Sequence, residues 1–361
     1  MARIIFTVTN DLSYDQRMQR ICTSLANAGY EVCLTGRKLN HSGPLNPENF
    51  QQKRLPCLFT KGFLFYAEFN FRLFFYLLFT RFDIVCAIDL DTILPCYFAS
   101  AIKQKKRVYD AHELFTEQVE IISRHLIHRI WMAIGKWAVP KFKSGYTVNH
   151  FIRDELQKRY GVDYGVIRNL PVLSQLAEHN TPPFQFIICQ GAVNHGRCFE
   201  TLIPAMKEVN TRLIVCGEGN FFEQAKQLAI ANGVAGKIEF KGYTVPGRLK
   251  ELTGQAVFGL TLFESTGFNQ YYSSGNKFFD YIMATIPQIC VGYPVYKAIN
   301  DEFDIALLVD DTEPATLSKA INQLLTDEAL YQRLKHNCTK ARLALNWETE
   351  EKTLIEFYSK L

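Results

Sequence analysis

Residues 272–287, YSSGNKFFDYIMATIP, set small polar, cationic and acidic residues within a few positions of one another. The segment follows an apolar run and a polar loop, and leads Ser-Ser-Gly into a helix of about ten residues. First-turn amides of a helix have no intrahelical partner and carry partial positive charge. With Ser273 and Ser274 beside them they suit an anionic group, and Lys277 adds a full positive charge. Asp280 lies one helical turn beyond Asn276 on the same face, where its carboxylate can accept two hydrogen bonds from vicinal hydroxyls such as those of a ribose. One turn of helix would then hold a diphosphate and its ribose. A solvent-facing i, i+3 ion pair between Lys277 and Asp280 accounts for the same two residues without a ligand.

A second concentration of titratable residues and glycines lies just after the apolar runs that read as strands. It comprises Asp11, Asp89 and Asp91, Asp110 with His112 and Glu113, Gly191, and Gly217, Glu218 and Gly219. Aspartate and glycine also serve as caps and turn residues, which explains any single member. Capping does not explain Asp-Ala-His on a strand end, because histidine is no favoured cap. Asp15 and Arg17, at the start of the first helix, read as a capping acid and a solvated base. Gly-Glu-Gly at 217–219 lacks the third glycine and the strand-ending acid of a dinucleotide fingerprint, which disfavours oxidoreduction.

These residues need scaffolds to bring them together. In the first half, strands are expected near 3–8, 31–35, 83–88, 106–110, 144–148 and 164–167, with helices at 15–28, 66–79, 92–103, 114–137 and 150–160. Residues 169–183, with three prolines, break the rhythm and read as an interdomain connection. Strands resume near 185–190, 212–216, 237–241, 257–262, 287–291 and 305–308, and helices at 327–341 and 347–359 end the chain. Alternation of this kind implies α/β architecture: two Rossmann-like, doubly wound parallel-sheet domains whose ligand crevices lie at the carboxyl ends of the strands, facing across a cleft.

Composition fits two globular domains: 361 residues, 48% hydrophobic and 21% charged, with no low-complexity tract. A net charge of +4 does not argue for nucleic acid. The ten cysteines fall singly in apolar strings, as buried small side chains of a reducing compartment do. The opening MARIIFTVTN reads as a strand rather than a signal peptide, so a cytoplasmic location is expected. Glu68, Asn70 and Arg72 interrupt the aromatic stretch 63–79, which is therefore not expected to span a bilayer; the stripe is expected to be core, with membrane contact as the alternative. Basic residues between 124 and 143 are expected on a solvated helix face, with peripheral contact to anionic lipid as the alternative.

GNKFFDYIMATIP resembles the PNKxxEYxxxGxP pattern of the retaining GT-B type glycosyltransferases, in particular the large family 4 group, with Asp280 for the acid. VYDAHELF at 108–115, QGAVNHGRCFETL at 190–202 and IRNLP at 167–171 resemble the family's strand-end histidine segment, glycine and basic-residue loop, and hinge entry. The resemblance implies an N-terminal acceptor-binding domain over 1–168, a C-terminal nucleotide-sugar-binding domain over 169–342, and a terminal helix within 343–361 packing back on the first. It also implies a catalytic set of His112, Arg197 and Lys277. The two cations would neutralise the donor diphosphate without a metal or cofactor, Asp280 would bind the ribose, and His112 would sit over the donor sugar. Gly191, Gly217, Glu218, Gly219, Ser273, Ser274 and Asn276 would line the donor side. Asp11, Asp15, Arg17, Asp89, Asp91, Asp110 and Glu113 would line the acceptor side.

The expected partners are a nucleotide sugar and a glycan or lipid-linked acceptor, in polysaccharide or glycolipid assembly. Tyr272 and Ala192 stand where many members carry an acid and an arginine, and TNDLSYDQR replaces the usual glycine-rich turn after the first strand. These departures leave a non-catalytic nucleotide-sugar-binding protein, or a GT-B epimerase, as alternatives to transfer.

Overall fold

The computed structural model describes the chain from Met1 to Leu361 apart from Tyr14, His41, Thr266 and residues 175–184. It divides into two compact units, one of Met1–Asn169 with Glu350–Leu361 and one of Leu170–Thr349.

In chain order the first unit holds β1 (Arg3–Thr7), α1 (Gln16–Asn27), β2 (Glu31–Lys38), β3 (Gln51–Pro56), α2 (Gly62–Phe79), β4 (Ile84–Ile88) and α3 (Ile93–Ile102). It continues with β5 (Lys106–Ala111), α4 (Val119–Ile122), α5 (His125–Ala138), β6 (Ser144–Thr147), α6 (His150–Tyr160) and β7 (Gly165–Val166). Its seven strands pair in parallel in the order β3-β2-β1-β4-β5-β6-β7. The β1 to β2 connection steps toward one edge, and the β3 to β4, β4 to β5 and β5 to β6 connections step toward the other. Right-handed crossovers therefore put α1 on one face of the sheet and α2, α3 and α5 together on the opposite face.

The second unit holds β8 (Phe186–Gln190), α7 (Phe199–Ala205), β9 (Arg212–Cys216), α8 (Phe222–Ala231), β10 (Ile238–Gly242), α9 (Pro246–Gln255), β11 (Gly259–Thr261) and α10 (Phe268–Tyr271). After these come α11 (Asn276–Met283), β12 (Gln288–Val291), α12 (Pro294–Phe303), β13 (Ala306–Val309), α13 (Pro314–Thr326) and α14 (Glu328–Ala344). The order is β10-β9-β8-β11-β12-β13, so both sheets are doubly wound. Their topological switch points, where such sheets open a ligand crevice, fall between β1 and β4 and between β8 and β11.

Helix α15 (Trp347–Ser359) begins in the second unit and continues into the first. There the Tyr358 ring lies 5.9 Å from Phe6 and 6.3 Å from Tyr146. Glu350 accepts from the Arg168 backbone N–H (2.7 Å) and from its guanidinium (2.9 Å).

Three elements differ from the sequence expectation. β3 is an edge strand, QQKRLP, with only Leu55 buried, so it carries no apolar alternation to reveal it. The helix expected over 114–137 breaks into a 3-10 turn at Phe115–Glu117, α4 and α5, because Gln118 is extended (φ −66°, ψ 137°) and Arg124 is non-helical (φ −119°, ψ 84°). Within the stretch expected to be core, α2 buries Phe65, Phe69, Leu73 and Leu77 and leaves Phe63, Leu64, Phe71, Phe75 and Phe79 exposed.

Candidate functional site

At the carboxyl end of the second sheet, the loop after β8, the turn after β11 and the start of α11 converge. Helix α11 is strongly amphipathic: Phe278, Phe279, Tyr281, Ile282 and Met283 are buried, while Asn276, Lys277 and Asp280 occupy the less buried side. The Tyr281 hydroxyl pins the helix to β8, accepting from the Gln190 N–H (3.2 Å) and donating to the Ile188 carbonyl (3.3 Å). At its head the Gly275 N–H donates to the Tyr296 hydroxyl (2.9 Å), and a side chain at Gly275 would come within 2.9 Å of the Phe263 ring.

Two cations share one aromatic ring here. Lys277 Nζ stands 4.7 Å from the Phe263 centroid and the Arg197 guanidinium 4.6 Å from the same centroid. Among the described residues neither has a carboxylate within ion-pair distance, so the expected alternative of a Lys277–Asp280 pair is not what the structure shows. Burial pulls both pKa values down, and for Lys277 the Arg197 charge adds to the fall. Two half-buried like charges around one ring repel, and an anion between them would relieve that repulsion. One turn along α11, the Asp280 carboxylate accepts from Gln190 Nε2 (2.9 Å), whose Oε1 accepts from Thr253 (2.7 Å). The buried amide thereby orients the acid.

The glycines shape the loops at this end of the sheet. Gly191 donates its N–H to Cys216 O (2.9 Å) and Gly217 to Gly242 O (2.8 Å), so those two amides are engaged within the protein. A Cβ on Gly217 would lie 1.8 Å from Gly191 O, and one on Gly219 would lie 2.3 Å from Val193 O. Val193 N–H to Glu218 O (3.0 Å) and Asn220 N–H to Asn194 Oδ1 (2.8 Å) zip the two loops together. The Glu218 carboxylate accepts from the Tyr243 N–H (3.1 Å), and Ser273 Oγ donates to Gln270 O (3.1 Å). Gly217→Ala is expected to destabilise the chain by about 3 kcal/mol, since φ is +144° as well as the space being filled. An unchanged denaturant midpoint would contradict that.

In the first unit the residues after β1, β4 and β5 form one network. Asp110, fully buried, takes Arg17 Nη2 on one oxygen (3.1 Å) and His112 Nε2 on the other (3.0 Å). Arg17, also buried, donates further to Ile167 O (3.0 Å). Asp89, at φ +54°, accepts from the His112 backbone N–H (2.9 Å), and Asp91 accepts from Thr9 Oγ1 (2.6 Å). Burial acts to lower the His112 pKa, but the Asp110 carboxylate reverses this and holds the imidazole up at about 9. At neutral pH the ring is an imidazolium, able to donate but not to accept a proton. Its Nδ1 has no protein partner among the described residues. Burial raises Asp89 well above the carboxylate range and Asp91 to about 6.

Several residues expected on the acceptor side are held by neighbours within the unit. Asp11 is held by Arg54 Nη2 (2.6 Å) and the hydroxyls of Ser13 and Ser42. Asp15 caps α1 by accepting from Met18 N–H (3.0 Å). Arg17 is a buried partner of Asp110, neither solvated nor open to a substrate, and Asp110 itself has no exposed surface. Glu113 accepts from Gln118 Nε2 (2.5 Å). Sequence reasoning did not identify Phe263, Gln190 or Tyr296. The available signals were an aromatic directly after a strand and a polar residue closing an apolar one, and both are weak.

Residues 16–171 match the family Glycosyltransferase Family 4, and residues 176–341 match Glycosyl transferases group 1. No curated protein sequence matches the chain. Among solved structures, sucrose-phosphate synthase from Thermosynechococcus elongatus superimposes with a TM-score of 0.81 at 15% identity, over 100% of this chain and 99% of that one. HepE of Anabaena, in complex with UDP-glucose, gives 0.76 at 10% identity over 100% of both chains. A mutant of S. aureus TarM, in complex with fondaparinux, α-GlcNAc-glycerol and UDP, gives 0.75 at 10% identity over 100% of this chain and 99% of that one. The two family matches follow one another over nearly the whole length, on two doubly wound units, and the chain belongs to the GT-B glycosyltransferases.

Proposed function

We propose that the protein transfers a hexose from a nucleoside-diphosphate sugar to a glycan hydroxyl, with retention of configuration and without a metal. The observation that carries this reading is the pair Arg197 and Lys277 on the Phe263 ring, free of carboxylates among the described residues, with Asp280 one turn away. Breaking a glycosyl-phosphate bond puts growing negative charge on the departing diphosphate, and two preorganised cations stabilise it more in the transition state than in the ground state. They supply the charge a divalent cation would otherwise provide. Asp280, oriented by Gln190, is placed to accept from the ribose hydroxyls.

Retention is proposed on the resemblance of GNKFFDYIMATIP and VYDAHELF to the corresponding segments of the retaining enzymes. In a retaining transfer the sugar C1–O bond to phosphate breaks, the acceptor oxygen bonds C1 on the same face, and the acceptor proton passes to the departing phosphate. UDP is a reasonable first donor nucleotide, since HepE and TarM were both solved with it.

The test is transfer from α-linked UDP-sugars to a glycan panel in the presence of a chelator, with the product anomer read by NMR. An α-linked product at an undiminished rate is expected. A β-linked product would contradict retention, and loss of activity restored by magnesium would contradict metal independence. Conversion of the donor sugar without any acceptor would favour an epimerase.

A further inference from the structure

Helices α2, α3 and α5 lie side by side on one face of the first sheet and leave large apolar side chains uncovered. Helix α2 seats one residue per turn on the sheet, while Phe71 is 65% and Phe79 81% exposed, with Phe63, Leu64 and Phe75 also in the open. The rings of Phe71 and Phe75 lie 4.8 Å apart and those of Phe75 and Phe79 6.4 Å apart, forming a ladder along the helix. Helix α3 adds exposed Phe98 and Ile102, and Phe98 reaches Trp137 of α5 at 5.8 Å. Helix α5 adds Leu126, 71% exposed, with Ile130 and Trp137. Monomeric soluble proteins seldom leave so many large apolar groups together on one face.

Cations border this surface. Helix α5 contains Arg129 and Lys136 and no acid, and Lys141 Nζ lies 4.7 Å from the Trp137 ring. Lys106 and Arg107 follow α3, which has no charged residue itself, while Lys103 is held by the carbonyls of Leu77, Leu78 and Thr80 and Lys105 by Asp83. Neighbouring acids are already engaged: Glu68 by the Leu58 and Phe59 amides and Arg72, Asp83 by the Arg3 amide and Lys105, and Glu117 by Arg159. Glu120 of α4 is the exposed exception at the margin.

We propose that this face docks on an anionic lipid bilayer, with α2 in the plane of the interface, its phenylalanines in the acyl boundary and the lysines and arginines against the headgroups. Helix α2 is long and apolar enough to cross a membrane by length and composition. Both its ends nevertheless run into strands of one parallel sheet, and Glu68 pairs with Arg72 at its middle, so it lies on the surface rather than spanning. A second copy of the chain is disfavoured as the occupant, because it would set the same cations against one another. Aromatic area and several cations together suit a surface that is apolar beneath and negatively charged above.

Vesicle flotation of the full chain tests this without reference to catalysis, so it can fail while the transferase reading stands. Binding is expected to be at least about tenfold greater on vesicles containing phosphatidylglycerol than on phosphatidylcholine alone, and to weaken as salt rises. A triple variant, Phe71→Ser, Phe75→Ser and Phe79→Ser, should lose about tenfold or more of that binding while keeping the wild-type unfolding midpoint, since the rings are exposed. Lys136→Glu with Lys141→Glu should abolish the preference for anionic lipid. No vesicle binding, equal binding to both lipids, unchanged binding by the triple variant, or a wild-type dimer that the triple variant breaks would overturn the proposal.

Discussion

Lys277→Ala is expected to lower turnover by about 10²- to 10³-fold, and Arg197→Ala by a similar factor, roughly 3 to 4 kcal/mol of lost transition-state stabilisation in each case. The two act on the same departing charge, so the double variant should fall well short of the product of the single losses. Folding should not suffer with activity. Each cation is half-buried on Phe263 with no carboxylate partner among the described residues, and the Lys277 pKa is pulled down by burial and then by Arg197. Removing one charge relieves repulsion in the free protein, so the unfolding midpoint should hold or rise. Steady-state kinetics beside thermal unfolding check both halves. Wild-type turnover in both variants would remove the cations from the mechanism, and a large loss of stability would show that they are structural.

His112→Asn should reduce turnover by about 10²-fold, the scale of a lost charged donor. Nε2 is committed to Asp110, so Nδ1 is the atom that can donate to substrate, and it does so most strongly while the ring is charged. With the pKa raised from the usual histidine value to about 9, wild-type turnover should fall as pH rises through about 9, and His112→Asn should lack that limb. Stability follows the same group. A histidine with a raised folded pKa contributes fully below its unfolded value near 6.5 and loses the contribution as pH rises through about 9, on the order of 3 kcal/mol. Rates are therefore to be measured well below the unfolding temperature. A pH profile unchanged by His112→Asn would contradict the assignment.

How much of this could be read from the chain depends on distance along it. Strands such as β1, β4 and β8 are buried on both faces and appear as unbroken apolar runs, so the doubly wound class was legible from sequence. β3 was not, because an edge strand with one buried residue has no pattern to show. Placement of Lys277 and Asp280 on the open side of one helix follows from helical spacing alone. That Arg197 meets Lys277 over Phe263 does not, since the three come from three separate segments; the resemblance suggested the pair and said nothing of the ring.

The acidic residues after the first strands show the opposite limit. Asp11 and Asp110 resemble substrate ligands in sequence because their partners, Arg54 and Arg17, lie 43 and 93 residues away. Composition likewise placed the phenylalanines of α2 in a core. Periodicity shows which residues share a helix face, but not whether a second face is covered.

The central claim is that Arg197 and Lys277 form a diphosphate site. Calorimetric titration of UDP, GDP, ADP and TDP, each beside its parent nucleoside, into the wild type and into Lys277→Ala tests it most directly. One diphosphate should bind wild type at least about tenfold more tightly than its nucleoside and lose most of that margin in the variant. If the diphosphate and nucleoside bind alike, or if the variant holds the diphosphate as tightly as wild type does, the two cations are not the phosphate grip.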